Sequence, residues 1–444
     1  MGDEESSRRW FIAAVAGLSA TGLSGCGSEE PETARPTDER TPTATPMDGV
    51  TPTEAPTDAP TEAPTEASTE TPTDAPTDAP TETPTPTPSA GEFAEWPTYM
   101  YNDRNWGNHP DAVGPQGEVS VAWERDLGRQ VNATAVLSDG TLYVGTGAPN
   151  REEGRLYGLD PLTGETTGTD WPVEFDAPVV GGPAVDENGF VYVAAGNERV
   201  SHRSDGSNRW RIEINPSPNY APTTVADEYA YFAADSGRVS RLNALTSTGD
   251  WTYVVNGAVE SAPVVHDGTM YIGSRDGDVS AVTASRGSEE WVVEFSQPVN
   301  GLSMRDGRLY AALEANSVAQ IDTERRIRWQ ANLDSGAAST PAVAGDLVYV
   351  GLRDDAFVAL DREEGLEQWR FDDVDDPFTA SPVVVGATVY VANQGGGVYA
   401  LDAESGELEW SFDTGGEVVD PAPVVAGRTV YIGNRSGTFY ALSG

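Results

Sequence analysis

The chain has 444 residues, a single Cys and a formal net charge of −44. All 27 of its basic residues are Arg, set against 71 acidic ones, a balance that repels polyanions and excludes nucleic acid as a partner. One Cys leaves no disulfide framework and no cysteine-based metal cluster.

Residues 1–28 read as a targeting segment, not as part of the fold. Arg8 and Arg9 precede Trp10-Phe11-Ile12 and an apolar run to Leu23. That run is short of the roughly 20 residues a helix needs to span a bilayer. It closes on Leu23-Ser24-Gly25-Cys26. The combination resembles a twin-arginine lipoprotein signal. The resemblance implies lipidation at Cys26 and export of a folded protein to the extracellular face of the cytoplasmic membrane, with the lipid as its only membrane contact.

Residues 29–90 repeat Thr, Pro, Glu, Asp and Ala with almost nothing apolar to bury. Pro at every third or fourth position forbids helix and central strand, so a disordered, extended linker is expected. In polyproline form, at about 3.1 Å per residue, it would reach on the order of 190 Å. Its many Thr residues beside Pro suit O-glycosylation. Residues 91–118 form an aromatic and polar lead-in without period, expected to pack as a loop on one face of the domain.

From residue 119 to 444 the chain is a repeat. Trp123, Trp171, Trp210, Trp251, Trp291, Trp329, Trp369 and Trp410 follow one another at spacings of 48, 39, 41, 40, 38, 40 and 41 residues. Ahead of three of them an Ala stands ten positions earlier, as in Ala281 and Trp291, Ala359 and Trp369, Ala400 and Trp410. Between tryptophans, a Pro followed by Val or Ala leads to a polar turn and a Val-Tyr type strand, as at Pro423-Val424-Val425 and Val430-Tyr431-Ile432-Gly433. A period near 40 residues with four short strands is the pattern of a propeller blade. The expected fold is therefore all-β, an eight-bladed β-propeller with four-stranded antiparallel blades. The strand around Val119–Asp126 has no blade before it, and the last repeat has no closing Trp strand. The first is thus expected to complete the last blade and remove its open edges.

The pattern Ala400-Leu401-Asp402, Gly406, Trp410 resembles the tryptophan-docking repeat of pyrroloquinoline-quinone (PQQ) type propellers, over about residues 96–444. That family holds quinoprotein dehydrogenases and also non-catalytic outer-membrane-assembly lipoprotein propellers. The dehydrogenases generally use calcium or a lanthanide, a catalytic Asp and commonly an adjacent cysteine pair. The repeats here have no Cys, no haem-attachment motif and no long insertion, which favours the non-catalytic branch. The absence of Lys beside abundant acids resembles proteins of salt-loving archaea, implying a halophilic protein.

His109, His202 and His266 match no metal spacing. Asp276-Gly277-Asp278 would suit a hard cation. The aligned Asp235-Ser236-Gly237, Gln394-Gly395-Gly396 and Arg435-Ser436-Gly437 favour a hairpin turn instead. Asp372 to Asp376 reads as a solvated connection between blades. Asn132 and Asn434 open glycosylation sequons, and Asn434, at an expected exposed turn, is the better of the two.

Reading each repeat just before its Pro position places Asn132, Tyr220, Glu260, Ser261, Asn300, Ser339, Phe378, Thr379 and Asp420 around one mouth of the central channel. They form a candidate ligand or partner site, the alternative being that they only cap the inner strands. No catalytic residue and no metal site is assigned. The expected function is a lipid-anchored, monomeric binding or scaffold module for a protein or envelope component, with no cofactor. The alternatives are a quinoprotein oxidoreductase of alcohols or sugars using PQQ with Ca²⁺, and an extracellular small-molecule sensor.

Overall fold

The computed structural model describes residues 94–149, 153–214 and 220–444. The export motif at Arg8 and Arg9, the lipidation residue Cys26 and the Thr/Pro-rich stretch lie outside the described residues.

Eight separate sheets, each built on four antiparallel strands, follow one another along the chain, the seventh gaining a short fifth strand from the lead-in, and no helix occurs among the described residues. The fourth blade is representative, with strands Val264–His266, Thr269–Gly273, Asp278–Thr283 and Ser288–Glu294 in order from the inside outwards. Inner strands such as Val383–Val385 and Val424–Ala426 are buried at every residue, because both of their faces meet neighbouring blades. Outer strands such as Gly249–Val254 and Ile327–Asn332 alternate between exposed and half-buried residues. Only one of their faces has a blade to pack against.

The ring closes as the repeat required. Ser120–Asp126 pairs antiparallel with Thr438–Ser443, with Trp123 opposite Ala441, and becomes the outermost strand of the eighth blade.

The spacing of Ala and Trp has a physical cause. Ala281, Ala359 and Ala400 are the cross-strand partners of Trp291, Trp369 and Trp410. A bulge of one residue next to each Trp gives the ten-residue interval and re-aims the indole. Each indole then reaches the following blade. Trp251 Nε1 donates to Ala284 O at 2.8 Å, Trp291 to Thr323 O at 3.1 Å, and Trp329 to Arg362 O at 3.0 Å. The glycine of that next turn lies under the ring. A Cβ on Gly406, whose φ is +76°, would come within 2.5 Å of the Trp369 ring. Trp410 breaks the series. Its blade is followed by one whose third and fourth strands come from opposite ends of the repeat, with no turn between them, and its Nε1 has no partner.

The lead-in differs from the expectation of a loop lying on one face. It runs around the axis and hydrogen-bonds to the inner part of each blade in turn. Trp96 exchanges two backbone bonds with Leu137 in the first blade, and Pro97 O accepts from Val185 N in the second. Thr98 Oγ1 donates to Thr223 O at the third. Asp103, Arg104, Trp106 and Gly107 carbonyls accept from Val265, Met304, Val343 and Val384 in the fourth to seventh. Asn108–His109 then pairs in parallel with Val384 and Val385, and Val113 O accepts from Arg428 N in the eighth. The inner strands have no other sheet neighbour on that side, so their free backbone donors attract a chain that supplies carbonyls. Most of these bonds fall on the inner strands themselves, as at Leu137, Val265, Val343 and Val384, one strand position or more beyond the entry residues of the candidate mouth.

Candidate functional site

The chain enters every inner strand at the same end of the channel, and there the wall opens into a cavity of about 480 Å³. Asn132, Tyr220, Glu260, Ser261, Asn300, Ser339, Thr379 and Asp420 all line it. Phe378 does not. It is fully buried among Phe357, Phe371 and Tyr399, with ring centroids 5.6–6.1 Å away. Neighbouring residues of an extended chain point to opposite sides, so Thr379 faces the cavity and Phe378 the core between blades.

Several wall residues are held by backbone groups. Asn132 Nδ2 donates to Gly147 O at 2.9 Å, Asn300 Nδ2 to Ala337 O at 2.7 Å, and Ser339 Oγ accepts from Gly351 N at 2.9 Å. Tyr220 donates to Pro149 O at 3.3 Å. Ser261 and Thr379 differ, since neither hydroxyl has a hydrogen-bond partner and Ser261 is only 5% exposed.

Sequence reasoning missed the floor. Tyr99, carried by the lead-in, lies buried at the cavity with its hydroxyl 2.7 Å from Ser381 Oγ and 3.1 Å from Thr340 Oγ1. Burial raises its pKa. The lead-in has no period, so nothing in the sequence pointed Tyr99 to the axis. It also missed Arg275 and Arg353, which line the cavity from the turns between second and third strands. The aligned turns gave a usable signal there, because Arg275 and Arg435 occupy the same position after the second strand.

The arginines at this mouth are all engaged. Arg275 sits 2.7 Å from Glu314 and 3.6 Å from Glu260, and donates to Asn300 Oδ1. Arg353 shares Glu314 at 2.9 Å, and Arg435 bonds Glu417 at 3.2 Å. Asp420 forms no ion pair among the described residues. Water reaches it from the mouth, yet protein surrounds it at longer range. Burial raises its carboxyl pKa, Arg435 opposes the rise and Glu260 adds to it. Asp235 is pushed up to about 6 by burial and by Glu260.

The remaining motifs are structural. Gly277, with φ +98°, closes a tight turn by donating to Ser274 O, so Asp276-Gly277-Asp278 is a hairpin. His109 Nδ1 accepts from the amides of Asp111 and Ala112, which leaves Nε2 to donate to Glu95 O at 2.9 Å. Asn434 corrects the glycosylation expectation. It is 1% exposed, its Nδ2 donates to Thr414 O and its Oδ1 caps the turn by accepting from Thr438 N. Asn132 is buried to the same degree.

A sequence profile for the family described as outer membrane protein assembly factor BamB matches residues 115–202, 152–305 and 275–443, most of the chain. The chain belongs to this family. BamB of Yersinia pestis is 25% identical over 217 residues, 42% of this chain and 53% of that protein. The serine/threonine-protein kinase AfsK of Streptomyces griseus is 29% identical over 143 residues, 28% of this chain and 18% of the kinase. The chain thus spans about half the length of the BamB relative. Among solved structures, BamB from Moraxella catarrhalis superposes with a TM-score of 0.62 at 18% identity, over 73% of this chain and 100% of that one. Quinohemoprotein alcohol dehydrogenase from Comamonas testosteroni gives 0.66 at 14% identity, over 78% and 80%. These likenesses show the shared fold alone.

The second neighbour raises the question of whether a quinone cofactor suits this BamB-type cavity. PQQ is a tricarboxylate and needs free cations around it, from arginines or from a metal held by a cluster of ligating side chains, and no such cluster of His, Cys, Asp and Glu occurs among the described residues. Here Arg275, Arg353 and Arg435 are each matched to a carboxylate, while Glu260 and Asp420 project negative charge into the same space. The donor set does not fit an anionic quinone.

Proposed function

We propose that this member of the BamB family is a non-catalytic binding or scaffold propeller, tethered to the membrane by a lipid on Cys26 and exported through the Arg8-Arg9 signal. It holds a protein partner or an envelope component at the mouth face of the disc, beyond a long linker. The observation that carries this reading is the charge arrangement of the cavity, closed below by Tyr99 and lined by arginines already spent on carboxylates. Such a wall recognises a ligand but offers no cationic clamp for an anionic redox cofactor. Family membership supports the same direction, since the name of the family denotes assembly of other proteins.

The test is photo-cross-linking on intact cells from positions around the mouth, such as Tyr220 and Thr379. The expected result is one reproducible protein adduct that is absent when the photoreactive residue is moved to the outer strand at Ile327. Adducts of equal yield from both positions, or none from the mouth, would overturn the scaffold reading.

A further inference from the structure

Resting on the scaffold reading, we propose that the mouth cavity is a recognition pocket for a single cationic organic group, a guanidinium or ammonium carried by a basic side chain of the protein partner. Three observations converge. Glu260 enters the fourth blade and Asp420 the eighth, so in a ring of eight their carboxylates stand on opposite walls of one cavity. A group on the axis lies between them. They are also near enough to sense each other, since Glu260 adds to the rise that burial gives the Asp420 carboxyl, against the opposing charge of Arg435.

The second observation is that no arginine of the wall is left to neutralise them fully. Arg275 spends its short contact on Glu314 and keeps only a 3.6 Å approach to Glu260, and Asp420 has no ion pair among the described residues. Two carboxylates on facing walls of one concave mouth both act on a cation at the axis, which two isolated surface charges do not, although both remain open to water and their pull is screened by salt.

The third is the hydroxyl of Ser261, buried next to Glu260 with no hydrogen-bond partner, beside the cavity. A buried polar atom left unpaired is costly, and rotation of the Ser261 side chain, which lies in the cavity wall, presents its hydroxyl to an N–H donor there. A guanidinium brings several such donors along with the charge. The volume, about 480 Å³, falls in the range of about 300–1,000 Å³ typical of ligand pockets.

The experiment is isothermal titration of the full-length protein with N-acetyl-arginine amide and, separately, with the neutral isostere N-acetyl-citrulline amide. The expected result is saturable binding of the arginine compound at one site per chain and none of the citrulline compound. Glu260→Gln with Asp420→Asn should weaken binding about tenfold or more. Asp420→Asn alone, on an accessible wall position, gives an intermediate loss. Asp372→Asn with Asp373→Asn, on a connection away from the cavity, should leave it unchanged. The proposal is overturned by any of three results: no saturable binding, equal binding of citrulline amide, or equal weakening by the pair at Asp372 and Asp373. Each reads the pocket alone, so its failure leaves a partner docked elsewhere on the disc, and that is judged by the cross-linking yield.

Discussion

Trp123 and Tyr431, from near the two ends of the repeat region, lie with ring centroids 6.0 Å apart and donate to the same carbonyl, that of Pro161, at 2.9 and 3.0 Å. Trp369 and Tyr349 do the same to Ala403 O, and Trp210 and Tyr192 to Ala244 O. The pair that joins the ends of the ring is thus built like pairs drawn from a single repeat. Closure therefore preserves this Trp–Tyr packing, and its local cost falls on Trp410, whose Nε1 is left without the carbonyl that a turn between third and fourth strands supplies elsewhere.

Replacing Trp123 with Ala should accordingly cost about 3 kcal/mol, the range for removing a large aromatic from a packed site. Tyr431→Phe, which removes only the hydroxyl, should cost about 1 kcal/mol. Denaturant midpoints at constant slope would check both. A Trp123→Ala variant as stable as the parent would mean that the first strand does not hold the ring shut.

The turn glycines offer a sharper comparison. Gly406 has φ +76° and the Trp369 ring under it, whereas Gly386 has φ +64° with open space around its Cβ position. Gly386→Ala should cost about 1 kcal/mol from backbone strain alone. Gly406→Ala adds displacement of the indole and should cost at least about 2 kcal/mol. Equal losses would show that the docked Trp369 tolerates the intruding methyl.

The lead-in is expected to act as a belt. Trp96 is fully buried, and Trp96→Ala should cost about 3–5 kcal/mol. The amides of Val265, Met304, Val343 and Val384, which donate to successive lead-in carbonyls, should then exchange faster as a group. Lost stability with unchanged exchange at those four amides would separate Trp96 from the belt.

How much of this could be read from the chain divides by period. The blades, their number and the closing strand follow from Trp and Ala spacing, because every repeat solves the same packing problem. The inner-strand entry points are legible for the same reason, and Thr379, Glu260 and Asp420 line one cavity at the entries to their strands. Phe378 failed because one residue of register reverses a side chain. Asn434 failed because a sequon and a turn-capping Asn look alike, although Asn393, whose Oδ1 accepts from Gly397 N in the preceding blade, shows the capping role. Tyr99 was invisible, since the belt makes its contacts with eight different blades and so carries no repeat of its own.

Acid should destabilise the protein partly through Asp322. Burial opposes its ionisation, but the backbone and guanidinium of Arg326 and the charge of Arg328 outweigh that and hold its pKa at about 2. A folded pKa below the unfolded value of about 3.9 gives stability that is full above pH ~4 and lost as pH falls towards 2, on the order of 2 kcal/mol. Asp322→Asn should therefore lower stability at neutral pH and flatten the acid limb between pH ~4 and ~2. An unchanged acid limb in that variant would assign the acid sensitivity elsewhere.

The most direct test of the central claim, that this cavity recognises and does not oxidise, is reconstitution of the purified protein with PQQ and Ca²⁺ in concentrated salt. Bound chromophore and dye reduction by alcohols and sugars would be followed together. The charge arrangement of Glu260 and Asp420 against matched arginines predicts neither saturable uptake of the quinone nor turnover. Saturable binding accompanied by turnover would contradict it.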